Sequence, residues 1–300
     1  MRFPTLALLA LFVWLLAGCE PAPAPAGPQY ANSPTSNKTY YLAVHPLYNP
    51  HKLAEAYEPL IARLNAEIPG AHFQLEASRD YQVYETKFRA RQPEFLLPNP
   101  WQTLEAIKVG YAVIAMAGDA EDFKGLWIVR RDGIIHTPRD LVGKIVSYPS
   151  PTALAAAMLP QMYLQEHGVE VMRDLHNEYV GSQESSIMSV YRGDADAGAT
   201  WPPPWRSFQQ THPSEAATLQ VIWETPHLLN NSVMVRDDVP PSIRDKVRDV
   251  LIELKTAPGG TNILAASQTA RFHPATNASY QPVAEFVQRF ERTVRPVENK

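Results

Sequence analysis

The sequence predicts an α/β protein of two lobes, the first interrupted by the second. Three observations predict it. From Thr39 onward short apolar runs alternate with stretches of helical period. The alternation restarts near Asp119, and the segment over 228–238 leads back to the first series. In the first series, Tyr40–Val44 is a buried strand. Leu53–Asn65 is an amphipathic helix with Leu53, Ala56, Tyr57, Leu60, Ile61 and Leu64 on one face, and Pro59 marks a kink or an early break. Strands follow at 72–77, 94–98 and 111–117. Between them lie a helix capped by Asp80 that runs to about Arg91 and a second helix over Trp101–Lys108. In the second series, 125–131 and 144–149 read as strands. A helix covers Thr152–His167 and stops at Gly168. A strand ends near Val180, a helix spans Gln183–Arg192, and 195–200 and 219–225 are strands. Residues 240–256 form an amphipathic helix with proline at its start and Pro258-Gly259-Gly260 beyond it. The sheets are expected to be mostly parallel, as strand–helix repetition implies. The domain reading is therefore lobe I at 39–118 with 226–300, and lobe II at 119–225.

The N-terminus carries a different signal. Arg2 and the terminal amine precede an apolar run from Leu6 to Leu16, too short to span a ~30 Å hydrocarbon core. Leu16-Ala17-Gly18-Cys19 resembles the lipobox of bacterial lipoproteins. That resemblance implies a signal peptide over 1–18, a diacylglycerol on Cys19, and an extracytoplasmic, membrane-anchored protein of the cell envelope. Cys19 is the only cysteine in 300 residues, so the exported chain has no internal disulfide and depends on its core. Residues 19–38, rich in Pro, Ala, Ser and Asn without periodicity, read as an extended tether. A net charge of −4 with no basic patch argues against nucleic acid as a partner.

Five segments carry a family resemblance: "HPLYNP" after the first strand, "LLPNPW" after the third, "TPRDLVGKIVSYP", "GSQESSIMSVYRGDADAGATW" and "LNNSVMVRDD". In this order the chain resembles the phosphate, phosphite and phosphonate binding proteins of ABC importers, the PhnD-like family. The resemblance implies a type II periplasmic-binding-protein fold, two lobes joined by two crossing segments. It also implies a monomer that encloses a small anion or polar ligand and delivers it to an ABC permease. A sensing protein that reports occupancy to a membrane histidine kinase would use the same fold.

In open α/β sheets ligands sit beyond the carboxyl ends of strands, which selects the candidate residues. Tyr48 and Asn49 offer a hydroxyl and an amide, or form a turn, since Asn-Pro favours one. Asn99 and Trp101 lie in a comparable loop, with Trp101 either walling the cleft or packing in the core. Ser182 is a candidate N-cap with Gln183, Ser185 and Ser186 around the first helical turn, for capping or for ligand. Gln183 stands where family members often carry histidine. "TWPPPW" is read as a backbone held extended by three prolines, with Trp201 as an aromatic wall. Ser150 and Thr152 precede the alanine-rich helix, whose first N–H groups suit an anion. Phosphonate-binding relatives place a Ser-Thr-Ser-like cluster there; those positions fall on Ala153, Leu154 and Ala155. Phosphonate itself is therefore doubtful, and an anion with an apolar portion fits better.

No G-x-S-x-G or H-E-x-x-H occurs, so no enzyme activity and no cofactor is expected. His45 and His51, or His136 and His176, are not spaced for one helical face, and they read as surface histidines rather than metal ligands. Cys19→Ser should abolish lipid labelling and leave the preprotein uncleaved while the domain still folds. A wild-type protein released without lipid would overturn the anchor.

Overall fold

The computed structural model describes residues 38–297. The signal peptide, Cys19 and all of the tether but Lys38 lie outside the described residues. The first series comprises β1 (Lys38–Val44), α1 (Pro50–Glu67), β2 (Ala71–Glu76), α2 (Tyr81–Arg89), β3 (Phe95–Leu97), α3 (Pro100–Lys108) and β4 (Tyr111–Ala117). The second contains β5 (Leu126–Arg130), β6 (Ile145–Tyr148), a π-helical turn (Leu154–Met158) that continues into α4 (Leu159–Glu166), α5 (Val171–Asp174), β7 (His176–Tyr179), α6 (Gln183–Arg192), β8 (Ala197–Thr200), α7 (Pro202–Thr211), α8 (Pro213–Ala216) and β9 (Leu219–Glu224). The chain then returns through β10 (Ser232–Arg236), α9 (Pro241–Glu253), α10 (Gly260–Ala266), β11 (Phe272–His273) and α11 (Gln281–Thr293).

Two sheets result, ordered β11-β4-β10-β3-β1-β2 and β7-β6-β8-β5-β9. They are mixed in their pairings, although β1, β2, β3 and β4 share one direction and so do β6, β7, β8 and β9. β1 pairs in parallel with β2 and β3, but β10 lies antiparallel between β3 and β4. In the second sheet β6 is parallel to β7 and β8, and β5 lies antiparallel between β8 and β9. The reason is the crossing itself. β5 and β10 each arrive from the other sheet and enter at the carboxyl ends of their neighbours, so they run backward between strands that otherwise share a direction.

Local chemistry explains the helices. α1 buries the six residues of its apolar stripe, and Pro59 neither breaks nor ends it. The three prolines of "TWPPPW" are helical, not extended: they fill the first turn of α7, with Trp201 as N-cap. The first N–H groups of a helix have no intrahelical acceptor, so prolines there forfeit no bond. The helix expected from Thr152 begins instead as the π turn, with Met158 N bonded to Ala153 O at 3.2 Å. Pro160 accounts for the widening, because it lacks an N–H and its ring crowds the carbonyl four residues back.

β8 reads Ala-Gly-Ala-Thr and is wholly buried, and its small residues let α6 approach the second sheet. A Cβ on Gly198 would lie 2.7 Å from Val190 Cγ2, 2.8 Å from Ser186 O and 2.9 Å from Ser147 Oγ. Gly198→Ala should therefore destabilise the protein by ~1–3 kcal/mol, read as a lower urea midpoint at unchanged slope. An unchanged midpoint would contradict this close packing.

Candidate functional site

The carboxyl ends of β1, β3, β6, β7 and β8 converge between the two sheets, and nearly every loop there starts a helix. Asn49 caps α1, its side chain accepting from Lys52 N at 3.0 Å. Asn99 caps α3 in a reciprocal pair with Gln102, with Gln102 N donating to Asn99 Oδ1 at 3.0 Å and Asn99 N to Gln102 Oε1 at 3.1 Å. Ser182 caps α6, accepting from Ser185 N at 3.0 Å. Capping fixes these side chains and aims each helix start at the junction of the sheets.

Side chains from the two series join across that junction. Asn99 Nδ2 donates to Thr152 O at 3.0 Å. Thr152 Oγ1 donates to Glu85 Oε1 at 2.6 Å, and Gln102 Nε2 reaches the same oxygen at 3.0 Å. Ser150 Oγ lies 3.0 Å from Thr152 Oγ1. Gln183 Nε2 donates to Tyr81 OH at 3.1 Å, and Thr200 Oγ1 donates to Gln183 Oε1 at 3.0 Å. Each bond is buried, so each is stronger than its exposed equivalent and costly to leave unmade.

Beside this network lies a narrow cavity, about 200 Å³ only when the open solvent at its mouth is included. His45, Tyr81, Asn99 and Asn231 line it from the first sheet's side. Gln183, Trp201 and the turn from Ala153 to Ala156 line it from the second, and Phe123 lies between. The N–H groups of Leu154, Ala155 and Ala156 find no acceptor among the described residues. The Trp201 ring packs 5.4 Å from Phe123, tilted at 60°. No lining side chain carries a full charge at neutral pH. His45 is buried, not a surface histidine as expected, and burial pushes its pKa down to about 4 against the opposing bond from Nδ1 to Leu97 O at 3.0 Å. Burial likewise pushes the Tyr81 hydroxyl up, so it stays protonated. The site thus offers donors, one bare imidazole nitrogen and apolar surface.

The structure brings Asn99, Gln183 and Trp201 together on this cavity. Ser150 and Thr152 lie next to it, with their hydroxyls engaged by each other and by Glu85. Tyr48 and Asn49 line a neighbouring hollow with Ser182 and Gln183. Tyr48 OH is buried there without a partner among the described residues. Ser185 serves the Ser182 cap. Trp101 lies elsewhere, in the groove between α3 and α11, with the Arg89 guanidinium 6.0 Å over its ring. Sequence reasoning missed His45, Tyr81 and Asn231 as lining residues. His45 and Asn231 were findable, since one directly follows β1 and the other directly precedes β10 within "LNNSVMVRDD". No group of three or more His, Cys, Asp or Glu suited to a metal occurs among the described residues.

Comparison with known proteins places these features. The family described as "ABC transporter, phosphonate, periplasmic substrate-binding protein" matches residues 42–280. A probable ABC transporter phosphite binding protein of Prochlorococcus marinus is 20% identical over 193 residues, covering 60% of this chain and 65% of that protein. The tetrathionate sensor histidine kinase of Salmonella typhimurium is 24% identical over 160 residues, 49% of this chain but only 26% of the kinase. The chain thus spans less than two thirds of the length of both curated relatives. Among solved structures, a binding protein component of an ABC phosphonate transporter from Pseudomonas aeruginosa superposes with a TM-score of 0.79 at 16% identity, covering 86% of this chain and 88% of that one. The Prochlorococcus marinus protein PhnD1, in complex with methylphosphonate, gives 0.77 at 18% identity over 85% and 99%. The fold is that of the type II periplasmic binding proteins.

The buried, neutral His45 has a measurable consequence. Its pKa falls from 6.5 to about 4 on folding, so between those values the unfolded chain binds a proton that the folded one refuses. Stability should therefore drop as pH falls through that window, by ~3 kcal/mol from this group. Urea unfolding at pH 7 and at about pH 4 should show that loss in the wild type and its absence in His45→Gln. Equal losses would mean His45 is not buried in neutral form.

Proposed function

This chain belongs to the periplasmic substrate-binding proteins of phosphonate ABC transporters, and from that premise we propose that it encloses a small, singly charged anion between its lobes and presents it to an ABC permease. The observation that carries this reading is the pairing of three unbonded backbone N–H groups, at Leu154, Ala155 and Ala156, with a cavity that has no charged side chain. Backbone N–H groups at the start of a helical segment carry partial positive charge, enough to favour an anion. Stabilising a doubly charged anion out of water asks for more donors or a cation. Ala153, Leu154 and Ala155 replace the hydroxyl cluster of phosphonate-binding relatives, so a phosphonate dianion should bind weakly. Phe123, Leu154 and Trp201 supply a wall for an apolar portion of the ligand.

The proposed ligand residues are Asn99, Gln183 and Trp201. Ser150 and Thr152 hold the turn in place, and Tyr48, Asn49 and Ser185 border the approach. The lobes are taken as 39–118 with 226–300, and 119–225. Cys19 is proposed to carry the lipid that keeps the protein on the extracytoplasmic face of the membrane as a monomer. Likeness to part of a sensor histidine kinase favours a second reading, in which occupancy is reported to a kinase rather than a permease. The gene adjoining this one, permease or kinase, decides between them.

The test is a panel of small oxyanions and carboxylates added to the purified protein. A ligand at a hundred times its Kd raises stability by ~2.7 kcal/mol, and Gln183→Ala should weaken that ligand about tenfold or more through its lost hydrogen bonds. Scattering should show a more compact particle with ligand than without. A panel without a single stabilising compound would overturn the anion reading.

A further inference from the structure

An anion seated on the backbone N–H groups still leaves two cavity groups without a partner. Nδ1 of His45 faces Leu97 O at 3.0 Å. A carbonyl oxygen only accepts, so Nδ1 carries the hydrogen. In the neutral ring Nε2 is then a bare lone pair, and it has no partner among the described residues although the ring lines the cavity. The other tautomer would turn a lone pair against the Leu97 carbonyl, so this polarity is fixed. Asn231, only 4% exposed, lines the same cavity, and its Oδ1 is buried without a hydrogen-bond partner. A buried acceptor left unmatched is costly, and Asn231 Oδ1 is one.

We propose that the cleft selects a ligand that brings its own proton: a singly protonated oxyanion whose O–H donates to His45 Nε2 while its other oxygens lie on the N–H groups of Leu154, Ala155 and Ala156. The inference rests on the anion-site reading and adds the protonation state of the ligand to it. An oxyanion of the same shape and charge but without a proton sets lone pair against lone pair. It binds only if His45 takes a proton from solvent. With the His45 pKa at about 4, that protonation costs up to about a hundredfold in affinity at about pH 6. No charged side chain lines the cavity to offset it. Glu85, one turn beyond Tyr81 on α2, is turned to Gln102 and Thr152.

Methylphosphonate and methanesulfonate separate the proton from every other property. At about pH 6 each carries one negative charge and one methyl group, and only the phosphonate retains an O–H. Calorimetry on the full-length protein should find methylphosphonate tighter by about tenfold or more, the worth of one charged-group hydrogen bond against a lone-pair clash. His45→Phe keeps a ring and removes the acceptor, and it should largely abolish the difference. If that variant does not fold, the wild-type comparison decides alone. Methanesulfonate binding as tightly as methylphosphonate, or more tightly, overturns the proposal and leaves the anion site standing. If neither binds at about millimolar concentration, the proposal is overturned, and the anion-site reading falls with it only where the wider panel of oxyanions and carboxylates is also without effect.

Discussion

Glu85 is the constraint on which the cleft depends. Its carboxylate sits where the two series of elements meet, with the side chain 7% exposed. A carboxylate withdrawn from water must be met by donors. Gln102 supplies one from α3, Thr152 supplies another from across the junction, and the Arg89 guanidinium on α2 itself stands 4.0 Å from the second oxygen. Asn99 then takes the carbonyl of the same threonine, so Thr152 is held by both its backbone and its side chain. The π turn begins two residues later, and the direction of its free N–H groups follows from where Thr152 is fixed. Behind the loop, buried Arg295 donates to Pro151 O at 2.8 Å and to Gln161 Oε1 at 2.9 Å, which closes the remaining side. This acid thus anchors the loop, and the loop sets one wall of the cavity.

That dependence explains which parts of the fold were legible in the sequence. Periodicity reports burial on one face, and α1 buries the six residues its pattern picks out. Caps are local as well, and Asp80, Asn99 and Ser182 each bond a backbone N–H three residues on. Proline was misread at 202–204 because its effect depends on position. The same ring that obstructs a helix interior is neutral in the first turn. The backward run of β5 and β10 left no mark in the sequence, since no residue type records that a strand arrives from another sheet.

The cavity was harder to read because its members lie far apart in the chain and do ordinary work locally. Asn99 is a cap as well as a lining residue, and the hydroxyl of Thr152 satisfies Glu85. A hydroxyl beside a helix start looks like a ligand donor until a carboxylate from another element is found against it. His45 carried the opposite ambiguity. Its place directly after β1 marks it as a candidate lining residue, but its polarity is set by the carbonyl of Leu97, 52 residues on.

Substituting alanine and leucine for a hydroxyl cluster changes more than the number of hydrogen bonds. A hydroxyl rotates and can donate or accept, so it adapts to whichever protonation state arrives. A backbone N–H only donates, and an imidazole pinned through Nδ1 only accepts at Nε2. With Ala153, Leu154 and Ala155 at the turn, the cavity keeps donors at one end and His45 as an acceptor, with little freedom to exchange roles. On the proposed reading, discrimination then comes from mismatch rather than from added affinity, because a buried group facing its own kind cannot turn away. The loss of adaptable side chains is, on that same proposed reading, a gain in selectivity, and the Thr152–Glu85 hydrogen bond helps to hold the turn that provides it.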